Sequence, residues 1–203
     1  MAEPLSFSDH LDYWQRRLSP VTDWLVLSGD LHHSHPLAAE QLVGWKAAGI
    51  TAVLDLRAEW TDEDFVAETA PELRYRHLGT HDDGGRRDDR WFEAGLEAWR
   101  DAVVRDGGRL LVHCHMGINR GPSMGYRLML EAGHDPVDSL RRIHEARPIA
   151  MIDYAPDALD HFHRSRGASS KERHRDRAGV DRWLAERRSA TEKLLRLVRG
   201  ADD

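Results

Sequence analysis

The sequence has 203 residues, of which 40% are hydrophobic and 32% are charged, and its formal net charge is −6. This length suits one domain with a substantial core, and no apolar run reaches the roughly 20 residues that a membrane-spanning helix needs. The acidic balance argues against nucleic acid as a partner, because such binding depends on basic side chains that neutralise phosphates. An acidic N-terminus without an apolar signal core, together with a single cysteine, predicts a cytoplasmic protein without internal disulfides.

The first part of the chain alternates short apolar segments with stretches of helical periodicity. Such alternation is typical of a mainly parallel sheet covered by helices on both faces. We therefore predict an α/β fold: a single domain whose central sheet has four to five strands. The predicted strands are Trp24–Leu27, Ile50–Leu56, Leu73–Leu78 and Arg109–His113, and the predicted helices between them are Leu37–Ala48, Glu59–Thr69 and Asp89–Arg105.

The second part of the chain is predicted to be helical throughout. Helices are expected from Pro122 to Gly133, over Pro136–Arg147 and over Pro156–Arg164. The polar stretch 166–177 is predicted to be a linker, and residues 178–200 an extra C-terminal amphipathic helix. We expect this helix to pack on its own domain. The alternative is that its apolar side binds a partner protein. Its apolar stripe is formed by Val180, Trp183, Leu184, Leu194, Leu195 and Val198.

The nine residues HCHMGINRG, numbered 113–121, contain the only cysteine and follow the last predicted strand directly. Ligands of parallel α/β sheets bind at the carboxyl ends of strands, and the N-terminus of a helix, expected here near Pro122, attracts anions. Arg120 adds planar donors that match phosphate oxygens, and the local positive field favours the thiolate of Cys114. The stretch therefore predicts a phosphate-binding loop that carries a nucleophile.

This motif resembles the Cys-x5-Arg signature of the cysteine-dependent protein tyrosine phosphatase superfamily, and the compact length resembles its dual-specificity branch. The resemblance covers residues 20–165, a catalytic domain, through the segments WLVLSG, AGITAVLDL and GGRLLVHC. It implies that Cys114 attacks phosphorus and that Arg120 holds the phosphoryl oxygens. It also implies that an upstream aspartate protonates the leaving group.

Two adjacent aspartates in the segment GTHDDGGRRDD fit the position of that acid. Asp82 lies 32 residues and Asp83 lies 31 residues before Cys114. Matching the pair Trp91-Phe92 to the family's usual aromatic pair favours Asp82, with Asp83 as the alternative. An aspartate beside glycines could move in and out of the site, as a general acid on a lid does.

The other loop residues are expected to contact substrate, and His113 is a candidate for orienting the loop. The resembled mechanism uses no cofactor and no metal. His32, His33 and His35 lack a carboxylate or cysteine at the fixed spacing of a metal site. The predicted substrate-binding residues are His115, Met116, Gly117, Ile118, Asn119 and Arg120.

Residue 121 departs from the resembled family, in which serine or threonine usually follows the arginine. In that family the hydroxyl donates a hydrogen bond to the cysteine sulfur and helps the sulfur leave the cysteinyl-phosphate. Gly121 has no such donor, and Ser123 is the nearest hydroxyl that could replace it. The resemblance therefore implies slow breakdown of the phosphoenzyme.

Together these features predict a phosphoprotein phosphatase that acts on phosphotyrosine, and on phosphoserine and phosphothreonine if its cleft is shallow. Hydrolysis of phosphoinositides or other non-protein monoesters is an alternative, which the lack of lysine in the loop disfavours. A non-catalytic phosphate-binding module is another alternative; Gly121 favours it, and the retained cysteine, arginine and aspartate disfavour it. The expected partner is a phosphorylated protein, with no nucleic acid and no membrane span.

Overall fold

The computed structural model describes residues 13–200, with side chains through residue 197. The N-terminal segment that supported the cytoplasmic prediction and the side chain of Val198 lie outside this part of the chain. None of the helices within residues 13–200 is long and apolar enough to cross a membrane.

Five strands form one sheet, and the strand that precedes the cysteine lies at its centre. The order is β1-β2-β5-β3-β4, in which β1 and β2 are antiparallel and all other neighbours are parallel. The predicted α/β class and strand count are confirmed. The strands are β1 (Ser19–Pro20), β2 (Leu25–Ser28), β3 (Ala52–Arg57), β4 (Arg74–Thr80) and β5 (Leu110–His113).

Helices cover both faces of the sheet, as buried parallel strands require. Within the described residues they are α1 (Tyr13–Arg16), α2 (His35–Ala47), α3 (Glu63–Thr69), α4 (Asp89–Trp99), α5 (Arg120–Glu131), α6 (Pro136–Ala146), α7 (Ala155–Ser165) and α8 (Ser170–Gly200). A π-helical segment, Arg100–Arg105, continues α4.

Alternate residues of the central strands β2, β3 and β5 face two separate cores. Leu25 and Leu27 of β2 join a large core with α4 to α8, whereas Val26 between them joins a smaller core with α2 and α3. These side chains are at most 1% exposed. The strict alternation fixes the register of the central strands, because a slip by one residue would exchange the two sets of side chains.

Several predicted boundaries shift by one or two residues, and the two largest errors concern polar segments. Helix α3 begins at Glu63 rather than at residue 59. Its N-cap residue, Asp62, makes no side-chain capping bond and instead pairs with Arg57 of β3 at 2.5 Å, which holds the segment before Glu63 against the sheet. Helix α8 begins at Ser170, so residues 170–177 of the predicted linker are helical. Asp176 within that stretch is buried and bonded to His163 at 3.0 Å, a contact that a solvated linker does not make.

Helix α8 docks on the domain. Val180 and Trp183 are buried in the large core with side chains of α6 and α7, and Leu184 packs at its edge. Arg188 of the same helix lies 2.9 Å from Asp153, which places α8 beside the segment that connects α6 and α7. Leu197, nearer the end of the helix, is 71% exposed.

Candidate active site

The loop 114–119 connects the central strand β5 to the N-terminus of α5. Cys114 directly follows the last residue of β5 and is only 2% exposed. Asn119 is the N-cap residue of α5, and Pro122 lies in its first turn. The cysteine therefore lies at the carboxyl edge of the sheet and close to the positive end of a helix dipole, as predicted.

The carbonyl groups of this loop are bonded to the surrounding protein. His115 O accepts from Asp30 N at 3.1 Å, and Ile118 O accepts from Met151 N at 2.8 Å. The two carbonyls between them, of Met116 and Gly117, accept from Arg147 at 3.0 and 2.5 Å. Because the loop carbonyls point outwards, the loop N–H groups can point towards its concave side. This is the arrangement of an anion-binding nest.

Arg147 supports the loop from beneath. Its side chain is fully buried, and besides the loop carbonyls it donates to Gln15 O at 2.6 Å. Burial lowers the pKa of Arg147 to about 10, although the charge of Cys114 opposes this shift. Gly117 must be glycine here, because its φ is +64° and a β-carbon would overlap the Arg147 guanidinium and the Ser28 carbonyl.

Arg120 is held in one orientation by a carboxylate that the sequence analysis did not select. Both Nη atoms donate to Glu59 at 2.8 Å, and Nη1 also donates to the Thr80 carbonyl at 2.8 Å. Burial disfavours the cation, but the bonds to Glu59 outweigh this effect and raise the pKa of Arg120. The same bonds lower the pKa of Glu59 to about 2. Nε of Arg120 is buried without a partner in the described part of the chain, so it is a donor left for an anion.

The structure brings Asp82 to the loop. Its Oδ1 accepts from Asn119 Nδ2 at 2.8 Å and from the Tyr154 hydroxyl at 2.6 Å, and its Oδ2 lies 3.8 Å from Arg120 Nε. The carboxylate thus lies beside both Asn119 and Arg120. Of the two candidates for the acid, Asp82 is the one whose carboxylate contacts the loop.

Asp83 points away from the loop. Its carboxylate is 61% exposed, pairs with Arg87 and accepts from Gly85 N at 2.9 Å. Arg87 also donates to Thr80 Oγ1 at 2.9 Å and to His81 O at 2.5 Å. Hydrogen bonds to the Arg87 side chain therefore hold the segment around Asp82 in place.

His113 lies behind the loop and not in it. The residue is fully buried, its Nδ1 is 3.8 Å from Asp55 Oδ1, and its ring is 5.9 Å from that of Trp45. Burial lowers the pKa of His113 despite the nearby Asp55 carboxylate. Neither ring nitrogen has a hydrogen-bond partner within the described residues, so the hydrogen bonds expected to orient the loop are not seen. The imidazole packs behind the loop and is too buried to contact substrate.

His115 is oriented by a buried acid on the other side of the loop. Its Nδ1 lies 2.6 Å from Asp30 Oδ2, and Asp30 also pairs with Arg16 at 2.9 Å. The His115 ring contacts the edge of Trp60 at a centroid distance of 5.2 Å. His115, Met116 and Ile118 are partly exposed, so of the predicted substrate-binding side chains these three reach the surface around the loop.

The two positions considered for a hydroxyl behave differently. Ser123 Oγ donates to Asn119 Oδ1 at 3.3 Å and accepts from Tyr154 N at 3.2 Å, so it holds neighbouring segments together. A β-carbon on Gly121 would lie 3.5 Å from backbone atoms of His113 and Val112, which is an ordinary contact. The structure therefore leaves room for a side chain at residue 121.

Sequence reasoning missed Glu59, Arg147 and Tyr154, which contact Arg120, the loop carbonyls and Asp82, respectively. Glu59 was assigned to a helix, and Arg147 was noted only as a helix end. No local pattern marks these residues, since their partners lie 61, 30 and 72 positions away along the chain.

The fold is the one found in dual-specificity phosphatases, and a comparison with curated proteins supports the resemblance seen in the sequence. No protein-family model matches the chain. The chain is 28% identical over 122 residues to dual specificity protein phosphatase 2 of Mus musculus, a match that spans 57% of this chain and 35% of that protein. The chain thus covers about a third of the length of this relative.

Solved structures have the same fold. Human DUSP28 matches with a TM-score of 0.60 and 19% identity, over 73% of this chain and 95% of its own. PTPMT1 in complex with PI(5)P matches with a TM-score of 0.58 and 15% identity, over 74% of this chain and 97% of its own. Human tyrosine phosphatase-like serine/threonine/tyrosine-interacting protein matches with a TM-score of 0.55 and 18% identity, over 74% of this chain and 95% of its own.

Proposed function

We propose that this chain is a cysteine-dependent phosphatase that hydrolyses phosphate monoesters of proteins through a cysteinyl-phosphate intermediate. The observation that carries the proposal is the arrangement around Arg120. Its guanidinium is fixed by Glu59, its Nε has no partner among the described residues, and Asp82 lies 3.8 Å from that nitrogen. A phosphate in the loop would meet a nucleophile, a cation and an acid at once.

The chemistry takes two steps. The Cys114 thiolate attacks phosphorus and forms a P–S bond, while the P–O ester bond breaks and the leaving oxygen takes a proton from Asp82. Water then attacks the cysteinyl-phosphate, gives a proton to the Asp82 carboxylate and releases the thiolate. Arg120 and the loop amides hold the phosphoryl oxygens in both steps.

Two substitutions test the mechanism with p-nitrophenyl phosphate as the substrate. Cys114→Ser is expected to abolish turnover while phosphate or vanadate still binds, because the loop amides and Arg120 supply most of the anion affinity. Arg120→Lys is expected to be severely impaired, since a point charge cannot replace the planar fork. Turnover retained in Cys114→Ser would refute covalent catalysis. Phosphate binding without turnover in the unmodified protein would instead identify a non-catalytic module.

The substrate class is tested by comparison of kcat/KM for a phosphotyrosine peptide, a phosphoserine peptide and a short-chain phosphatidylinositol phosphate. We expect the peptides to be preferred, because the loop side chains HMGIN carry no lysine that would bind the additional phosphates of an inositol ring. A preference for the lipid would refute the assignment to phosphoproteins while leaving the phosphatase mechanism intact.

A further inference from the structure

The side chain of Asp82 is held by one oxygen only. Asn119 Nδ2 and the Tyr154 hydroxyl both donate to Oδ1, at 2.8 and 2.6 Å. A carboxyl oxygen has two lone pairs, so these two donors occupy Oδ1. Oδ2 has no hydrogen-bond donor within the described residues and faces Arg120 Nε at 3.8 Å. The two oxygens of this carboxyl group are therefore chemically distinct.

Tyr154 is fixed as a donor by its own surroundings. Gly84 N donates to the hydroxyl oxygen at 3.3 Å, which leaves the hydroxyl proton for Asp82. The ring lies under the guanidinium of Arg87 at 4.4 Å, and the residue is 3% exposed. Burial, with the hydrogen bond to Asp82, raises the pKa of Tyr154 to about 12, so the hydroxyl keeps its proton at neutral pH.

The segment that carries Tyr154 is joined to the phosphate loop by two backbone amide donors. Met151 N donates to Ile118 O at 2.8 Å, and Asp153 N donates to Asn119 Oδ1 at 2.7 Å. Between them Ile152 adopts a φ of 57°, a left-handed conformation that is strained for a β-branched residue. Such strain persists only where the surroundings determine the backbone, and it is concentrated at functional sites.

We propose that Tyr154 and Asn119 are positioning residues that occupy Oδ1 of Asp82 and leave Oδ2 as the oxygen that delivers the proton. The proposal deepens the proposed function and rests on it. When the ester bond breaks, the Oδ2–H bond breaks with it, and the proton joins the leaving oxygen. The new carboxylate charge is then stabilised by the two donors at Oδ1, which were in place before the reaction.

Other charged groups near Asp82 are themselves paired. Arg120 is bound to Glu59, and Arg87 is bound to Asp83. Asp153, whose negative charge acts on the same region, is paired with Arg188 at 2.9 Å. None of these groups donates to Oδ1 of Asp82. Removal of the Tyr154 hydroxyl therefore changes the hydrogen bonding of the Asp82 carboxyl group directly, whereas the other charges act on it only from a distance.

The main test is Tyr154→Phe. A hydrogen bond to a carboxylate favours its charged form, so loss of the donor favours the protonated acid. We expect the alkaline limb of the kcat/KM profile to move up by about one to two pH units. With phenyl phosphate, whose leaving group needs a proton, kcat should fall by about tenfold or more, within the roughly 10²–10⁴-fold effect of a whole general acid. With p-nitrophenyl phosphate it should change much less.

Tyr126→Phe is the matched control. Tyr126 is also a buried tyrosine of this domain, but its hydroxyl has no partner in the described part of the chain. We expect this variant to keep the unmodified pH profile. A double-mutant cycle adds specificity: in the Asp82→Asn background, Tyr154→Phe should have no further effect on phenyl phosphate if Tyr154 acts through Asp82.

A readout without turnover separates this proposal from the proposed function. The titration of Asp82 can be followed by the NMR signal of its labelled carboxyl carbon, in the wild-type background and in Tyr154→Phe. A higher midpoint in Tyr154→Phe supports the proposal even if the protein shows no phosphatase activity. An unchanged midpoint, or an unchanged alkaline limb in an enzyme that still depends on Cys114, overturns it.

Discussion

Replacement of Gly121 by serine should accelerate the second chemical step. A β-carbon at this position lies 3.5 Å from the backbone of His113, the residue before the nucleophile, and the backbone is outside the left-handed region. The substitution therefore adds a hydroxyl at the start of α5 without a steric conflict. In the resembled family a hydroxyl here donates to the departing sulfur, and in this structure the Ser123 hydroxyl is engaged by Asn119 and Tyr154 instead.

The size of the effect follows from the energy of one hydrogen bond. A bond to a charged group contributes about 1.5–3 kcal/mol, and each 1.36 kcal/mol changes a rate about tenfold. The breakdown of the phosphoenzyme should then be roughly tenfold to hundredfold faster in Gly121→Ser. We expect this step to limit kcat in the wild-type protein, which should therefore show a pre-steady-state burst of p-nitrophenol.

Stopped-flow kinetics with p-nitrophenyl phosphate measures both quantities. Gly121→Ser should raise kcat and shrink the burst, whereas Gly121→Ala, which adds the same β-carbon without a hydroxyl, should do neither. The reasoning is refuted if the wild-type protein gives no burst, or if Gly121→Ala is accelerated as much as Gly121→Ser.

Three further predictions concern the same site. Asp82→Asn should lower kcat on phenyl phosphate by roughly 10²–10⁴-fold and remove the alkaline limb of the pH profile, whereas Asp83→Asn should leave both unchanged. Arg147→Met should lower the free energy of unfolding, measured in urea, by about 3 kcal/mol or more, because several buried carbonyls lose their donor. Glu59, with its pKa lowered from 4.5 to about 2 by Arg120, contributes stability that is complete above pH 4.5 and lost as the pH falls through about 2. Glu59→Gln should therefore cost about 1 kcal/mol or less at neutral pH, and its difference from the wild type should vanish at low pH.

Each of these has an outcome that contradicts it. If Asp83→Asn and not Asp82→Asn removes the alkaline limb, the acid is the neighbouring residue. If Arg147→Met unfolds at the same urea concentration as the wild type, the loop carbonyls find other donors. If the difference for Glu59→Gln grows as the pH falls, the ion pair with Arg120 is not its source.

The sequence by itself determined the parts of this protein that are continuous along the chain. The alternation of apolar segments predicted the parallel sheet, since buried strands and amphipathic helices have different periods. Cys114 and Arg120 could be read directly, because a strand, a tight loop and a helix N-terminus follow one another within a few residues. The prediction of a linker over residues 166–177 was wrong for most of the stretch. A charged sequence can form a helix as readily as a linker when the residues that follow it, here Val180 and Trp183, pack on the domain.

The tertiary structure alone decided what surrounds the loop. Glu59 contacts Arg120 because β3 and β5 are neighbours in the sheet, although 61 positions separate the two residues. Asp82 differs from Asp83 in its hydrogen bond with Tyr154, which lies 72 positions after Asp82. Arg147 reaches the loop carbonyls only once α6 has packed against α5. Adjacent aspartates have the same local sequence, so only partners contributed by distant segments give them different chemistry.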